Sequence, residues 1–411
     1  MGGKKGDSEA EKESAAGPDE IGPRLLQELE GAAAAALTVI FRASVESGVV
    51  PDDWRWVNVT PIFKKGSKMD PGNYRPVSLT SVCCKLLEGL LKTAITKHLL
   101  ENNLVNPSQH GFMAGRSCCT NLLEFMEEVT RAVDEGALVD VIYLDFAKAF
   151  DKVPKERLLE KLRAHGIGGQ ILRWIRNWLT DRQQRVVLNG KKSGWEMVLS
   201  GVPQGSVLGP LLFMIFINDL NDAALKAEFL KKFADDTKLG GKVSTVEERA
   251  ALQEALNGLC SWAATWGMDF NVKKCKVLHV GHNNPRHVYT MGGQPLGETE
   301  EETDVGVITT ANLKPAAQCR KAARIAAAVL GQICRAFHYR DRHVFIQLYK
   351  QYVRPHLEFA AAAWSPWQEG DEACLDFFGP KMALGCRLVP FKGPKKSHAP
   401  RKVSIFCKGP F

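Results

Sequence analysis

Two short stretches place carboxylates where the chain leaves an apolar run. Tyr143-Leu144-Asp145-Phe146-Ala147-Lys148-Ala149-Phe150-Asp151 continues a β-rich segment that begins at Val139, and Phe233-Ala234-Asp235-Asp236-Thr237 ends another short apolar segment. One aspartate at a strand end is ordinary, and Asp235-Asp236 alone would suit a hairpin turn. The pair of sites is more informative. Two strands side by side would bring Asp145 close to Asp235, with Asp236 next to them. Carboxylates so placed repel one another unless a cation neutralises them. Their hard oxygens suit Mg²⁺, which keeps waters and takes substrate phosphates. Two such ions about 4 Å apart can activate an attacking hydroxyl and stabilise a leaving pyrophosphate. That is the chemistry of phosphoryl or nucleotidyl transfer.

Between the two acid sites lies Ser200-Gly201-Val202-Pro203-Gln204-Gly205-Ser206-Val207-Leu208-Gly209-Pro210. Its glycines allow close backbone approach to a ligand, and Gln204 can supply donors; glycines alone would equally suit a plain strand–loop–helix connection. His279 and His282 with Cys275 are read more simply as a strand end and a loop than as a metal site. Trp262 and Trp266 fit a helix's core face better than a base-stacking platform.

The positioning elements follow from periodicity. Helices are expected over 24–49, 80–103, 120–135, 155–165, 170–180, 207–220 and 246–266, and strands over 56–63, 139–144, 228–234, 237–242 and 276–280. Asn189-Gly190 marks a hairpin between Arg185–Leu188 and Trp195–Leu199. Residues 139–280 therefore read as one α+β unit, followed by a helical stretch over 315–352. The first 23 residues, rich in Gly, Lys, Glu and Ser, read as a disordered leader, and 388–411 as a loose basic tail.

The chain has 411 residues, 45% hydrophobic and 24% charged, with a formal net charge of +8. The length allows two or three packed subdomains, and the charge favours an acidic partner without requiring one. Eleven cysteines occur with no C-x-x-C spacing, which argues against a zinc site and for free thiols in a reducing, intracellular setting, nucleus or cytoplasm. No apolar run approaches the ~18 residues of a membrane span.

The order Y-L-D-F-x-K-A-F-D, then G-V-P-Q-G-S-V-L-G-P-L-L-F, then F-A-D-D-T resembles the palm of reverse transcriptases, in wording similar to non-LTR retrotransposons of the jockey and chicken-repeat type. Asn58–Leu79, Gln109-His110-Gly111-Phe112 and Asn271-Val272-Lys273-Lys274-Cys275 agree, as does part of Arg354–Pro366, so the resemblance covers about 24–366. It implies a right-hand polymerase of α+β class with fingers, an RRM-like palm and a helical thumb. The expected division is leader 1–23, N-terminal extension and fingers 24–135, palm 136–300, primer grip and thumb 301–366, and divergent basic tail 367–411.

The resemblance implies an RNA-directed DNA polymerase using an RNA template, a DNA primer and dNTPs, with two Mg²⁺ ions or Mn²⁺ in their place. Asp145, Asp235 and Asp236 would be catalytic and, with Phe146, form the metal set. Lys64, Lys65 and Arg75 would approach the triphosphate. Phe150 would lie under the sugar and exclude a 2′-hydroxyl; Gln204 would contact nucleotide or template. Lys274 would be a general acid for pyrophosphate, with Lys273 and Lys276 as rivals. Each of these also has a plainer role, as a solvated lysine or a core aromatic. Nothing resembles the endonuclease of full elements, so the expectation is polymerisation without autonomous nicking. The alternative from another class is a degenerate, inactive remnant that still binds nucleic acid.

Overall fold

The computed structural model describes residues 16–337 and 341–366, with single positions at 368, 370, 371 and 375. Most of the expected leader and nearly all of the expected basic tail lie outside the described residues. The strands are β1 (Trp56–Phe63), β2 (Tyr74–Leu79), β3 (Val139–Leu144), β4 (Gln183–Leu188), β5 (Phe229–Phe233), β6 (Asp236–Lys242), β7 (Lys276–Val280) and β8 (Gly297–Thr299). The main helices are α1 (Pro23–Ser47), α2 (Val82–Glu101), α3 (Cys118–Asp134), α4 (Lys155–Ala164), α5 (Gly169–Leu179), α6 (Gly209–Phe216), α7 (Val246–Trp266) and α8 (Ala316–Ala336). The chain is thus a mixed α+β fold.

The central sheet has the order β8-β7-β3-β6-β5. β3 is antiparallel to both neighbours, with Leu144 opposite Thr237 and Val139 opposite Val280. Both faces of β3 are covered. Val139 and Val141 meet Phe125, Val129 and Ala132 of α3, whereas Ile142 and Leu144 join the large core containing α6 and α7. A strand buried on both faces reads as a continuous apolar run, which is why its span was legible. α6 is apolar all round and buried except at Pro210, as its composition requires. α7 starts on a Thr245–Glu248 capping box and stops at Gly267, whose left-handed φ of 70° ends the helix.

A second sheet sets β1 between β2, antiparallel, and β4, parallel. After β4, Asn189 and Gly190 both take positive φ, the geometry of a primed hairpin turn, and the returning chain pairs with β4 at Lys191–Lys192 and again at Glu196–Met197.

Three expectations need correction. Residues 16–22, placed in the loose leader, are folded in: Gly17 is buried so tightly that a β-carbon there would lie 2.7 Å from the Ser81 nitrogen. The expected helix over 207–220 is α6 followed by a separate 3₁₀ segment, Asn218–Ala224. The helical stretch over 315–352 is interrupted after Ala336.

Residues 307–309 and the described residues from 314 onward form a second compact unit. In it α8 is followed by Arg342–Leu348, a π turn over Tyr349–Val353 and two short helices, Arg354–Glu358 and Ala361–Trp364, with Ala326, Ile333, Tyr349 and Val353 as its buried centre. No described helix is long and apolar enough to cross a membrane.

Candidate active site

β3 and β6 are neighbours, and their register brings the acids together. Leu144 faces Thr237, so the next positions, Asp145 and Asp236, face each other across the end of the pair. Asp235 precedes Asp236 in the turn from β5. That turn is held from outside the sheet. Ala234 sits at φ +56°, and its N–H donates to Oε1 of the buried Gln109, which also accepts the Gly111 N–H. A β-carbon at Gly111 would lie 2.3 Å from the Ala234 nitrogen, so only glycine lets this loop approach. The resemblance had included Gln109 and Gly111 without giving either a role.

The loop after Asp145 is fixed just as closely. The Asn271 N–H donates to the Asp145 carbonyl at 2.7 Å, and the Ala147 N–H to the Asp269 carbonyl at 2.8 Å. The buried Phe146 ring stacks on Phe270 at 4.5 Å. The Asp145 carboxylate itself is half-exposed and has one counter-charge, Lys274, at 3.1 Å.

Electrostatics mark the three acids as a strained group. Burial and then the Asp145 charge push the Asp235 carboxyl above its usual range, against the pull of Arg75 and Lys64. Asp236 keeps solvent contact, yet desolvation by surrounding protein, followed by Asp235, Asp304 and Asp145, pushes it up to about 6. Asp304 is itself buried and paired to Lys238. The chemistry of this donor set fits a hard divalent cation, which would relieve the mutual repulsion. Among the described residues no three His, Cys, Asp or Glu side chains form a ready-made cage. A cation here would therefore complete its shell from backbone, water or phosphate oxygens.

The other expected residues divide. Lys64 and Arg75, on the β1–β2 hairpin, are exposed but within electrostatic reach of Asp235, and Lys64 also acts on Asp151. Lys65 is exposed beside Lys64 and unpaired. Phe150 is half-buried, stacked on Phe213 at 4.5 Å with Phe112 edge-on at 6.5 Å. Gln204 lines a cavity of about 280 Å³ between the second sheet and the Ser200–Gln204 loop. Of the rival lysines, only Lys274 pairs with a catalytic-site acid. Cys275 and His279 are both buried, and His279 pairs with Asp140. Trp262 is in the core, as expected.

The profile of the family described as reverse transcriptase (RNA-dependent DNA polymerase) matches residues 62–316, well over half of the chain. The chain is similar to the RNA-directed DNA polymerase from the mobile element jockey of Drosophila funebris, 28% identical over 315 residues, covering 74% of this chain and 34% of that protein. It is similar to the probable RNA-directed DNA polymerases of two Drosophila melanogaster transposons, BS at 28% and the X-element at 29% identity; each covers 63% of this chain and 29% of the relative. The chain thus spans about a third of the length of these relatives. Among solved structures, an apo telomerase of Candida tropicalis truncated from its C-terminal domain aligns with TM-score 0.45 and 11% identity, over 68% of this chain and 59% of that one.

Proposed function

This chain belongs to the reverse transcriptase family, and from that premise we propose that it copies RNA into DNA from a primer, using dNTPs and a pair of Mg²⁺ ions. The observation that carries the reading is the set of carboxylates at the ends of adjacent strands, each raising the proton affinity of the next. In this reading β3, β5, β6 and β7 belong to the palm (136–300), β1 and β2 to the fingers (24–135), and 301–366 to primer grip and thumb.

Asp145 and Asp235 hold the ions, with Asp236 alongside and the main-chain carbonyl of Phe146 as a further oxygen. When bound, the ions lower the pKa of the primer hydroxyl and neutralise the leaving pyrophosphate. Lys64 and Arg75 offer unpaired charge to the triphosphate. Lys274 balances Asp145 before substrate arrives and is the lysine proposed to pass a proton to the leaving group. Phe150, pinned by Phe213 and Phe112, presents a fixed ring to the incoming sugar and leaves no room for a 2′-hydroxyl. The proposed setting is intracellular, as the cysteine spacing of the sequence suggests.

Primer extension on an RNA template by the purified chain, with dNTPs and Mg²⁺, tests the proposal. Extension that stops when Mg²⁺ is chelated is the expected result. A chain that binds the RNA–DNA hybrid and incorporates nothing is a remnant.

A further inference from the structure

We propose that Glu88, on α2 and away from the acids, is a positioning residue that sets nucleotide selection by anchoring the Gly201–Leu208 loop and the start of α6. The inference rests on the polymerase reading above.

Glu88 is fully buried and, among the described residues, has no cation within salt-bridge distance. Its carboxylate is instead saturated by neutral donors. Oε2 accepts the N–H groups of Val207 at 2.7 Å and Leu208 at 3.0 Å. Oε1 accepts from Trp178 Nε1 at 3.2 Å and Cys84 Sγ at 3.3 Å. Burial raises the carboxyl's proton affinity, and the Leu208 N–H and the nearby Arg182 oppose that rise. A buried carboxylate is expensive unless its hydrogen bonds are complete. Ser206 Oγ accepts the next N–H, that of Gly209, at 3.0 Å, so Glu88 holds the two N–H groups just before the helix. The two N–H groups held by Glu88 lie at the end of the loop that carries Gln204.

That loop is tied at three other points. The Gly201 N–H donates to the Val153 carbonyl, the Val202 N–H to the Phe150 carbonyl, and the Gln204 carbonyl accepts from the Ser78 N–H at 2.8 Å. The first two bonds reach the segment of the proposed sugar gate. Glu88 is the side-chain anchor at the opposite end. From there α6 runs to Phe213, whose ring stacks on Phe150 at 4.5 Å. A shift at Val207–Leu208 is therefore carried by one helix to the face against which Phe150 rests. Gln204 and Phe150, two of the residues proposed to meet the nucleotide, both depend on this support.

Glu88→Gln keeps the shape but removes the charge and turns one acceptor oxygen into a donor, so the loop N–H groups keep at most a weaker, neutral acceptor. Cys84→Ala is the control, because it removes a donor to Oε1 and leaves both loop bonds. Two readouts are compared on folded protein: amide hydrogen exchange across 205–209, and the ratio of dNTP to rNTP incorporation with KM and kcat separated. In Glu88→Gln, exchange rises and discrimination falls about tenfold, the worth of one hydrogen bond to a charged group, with KM for dNTP rising more than kcat falls. In Cys84→Ala both readouts stay at wild type. If Glu88→Gln does not fold, Glu88→Asp withdraws the carboxylate by one methylene, keeps its charge and gives the same shifts. Wild-type exchange and discrimination in the Glu88 variant, or equal shifts in the control, overturn the proposal. A wild-type chain that extends no primer overturns the polymerase reading and the selection claim with it, whereas exchange still decides whether Glu88 anchors the loop.

Discussion

Asp140 and Asp145 stand on and just beyond the same strand, β3, and have opposite surroundings. Asp140 is completely buried. Its carboxylate accepts from His279 Nδ1 at 2.7 Å, Tyr289 Oη at 2.8 Å and Asn284 Nδ2 at 2.9 Å. Asp145 is half-exposed, has one lysine beside it, and faces two further acids whose proton affinity it raises. The same side chain is neutralised by donors at one end of the strand and crowded by like charge at the other. Burial therefore does not distinguish the proposed metal-binding acid from the structural one. The distinction lies in whether neighbouring groups have already met the charge.

Asp235→Asn gives the largest expected effect at the crowded end. It keeps the size of the side chain and removes its charge. Nucleotide incorporation should fall by about a thousandfold or more, the scale of losing one preorganised charge in a reacting site. Stability should hold or rise slightly, because one repelling carboxylate is gone. Affinity for template should hold as well, since it comes from many phosphate contacts. Single-turnover extension and a melting curve on the same preparation check this. A variant that extends like wild type removes Asp235 from the chemistry.

Asp140→Ala should behave in the opposite way. It leaves the donors of His279, Tyr289 and Asn284 without an acceptor in the core and should cost about 3 kcal/mol. The rate per folded molecule should be unchanged. Urea unfolding read beside extension gives both numbers. A loss of rate without a loss of stability would contradict the division drawn between the two ends.

The crowded end was legible in the sequence and the satisfied end was not. Apolar runs that stop on Asp145 and on Asp235-Asp236 carry a local signal, and the span of β3 emerged as read because both its faces are covered. Asp140 lies inside that run and passed as one polar residue among valines. Its partners are 139 to 149 residues away, and such separation leaves no trace in local periodicity. Gln109 was quoted only as part of a resembling motif, because its hold on the Ala234 N–H is also a long-range contact. β2 was missed as a strand. Pro76 breaks its pattern, and it is tolerated there because β2 lies at the sheet's edge. The readings for Lys64 and Arg75 needed the β1–β2 hairpin, which places them within the field of Asp235.

A divalent cation offers a smaller test of the same contrast. Mg²⁺ at about a hundred times its Kd should stabilise the wild-type chain by about 2.7 kcal/mol, if it binds only the folded state. Asp145→Asn and Asp235→Asn should remove that gain. A destabilised Asp140 variant should keep it, because the acids at the far end are untouched. Melting with and without Mg²⁺ in each variant is sufficient. A gain that survives loss of Asp145 or Asp235 places the ion elsewhere.

The smallest expected effect concerns Asp236 without metal. Its folded-state pKa, about 6, lies above the value of 3.8 for an unperturbed aspartate. Between these values the folded chain binds the proton more tightly than the unfolded chain. The contribution of Asp236 to stability is therefore greatest below about pH 4, declines as pH rises towards about 6, and is flat above that. Solvent contact at Asp236 screens the effect and keeps it modest. Asp235, Asp151 and Glu88 are shifted upward as well, so the slope of wild type alone mixes several groups. The difference between wild type and Asp236→Asn isolates one of them. In the presence of chelator, urea midpoints across this range should converge towards acid and diverge towards neutral pH, with Asp236→Asn the more stable at neutral pH. Parallel curves would mean that the Asp236 charge is already met by solvent, and the crowding at this end of β3 would then belong to Asp145 and Asp235 alone.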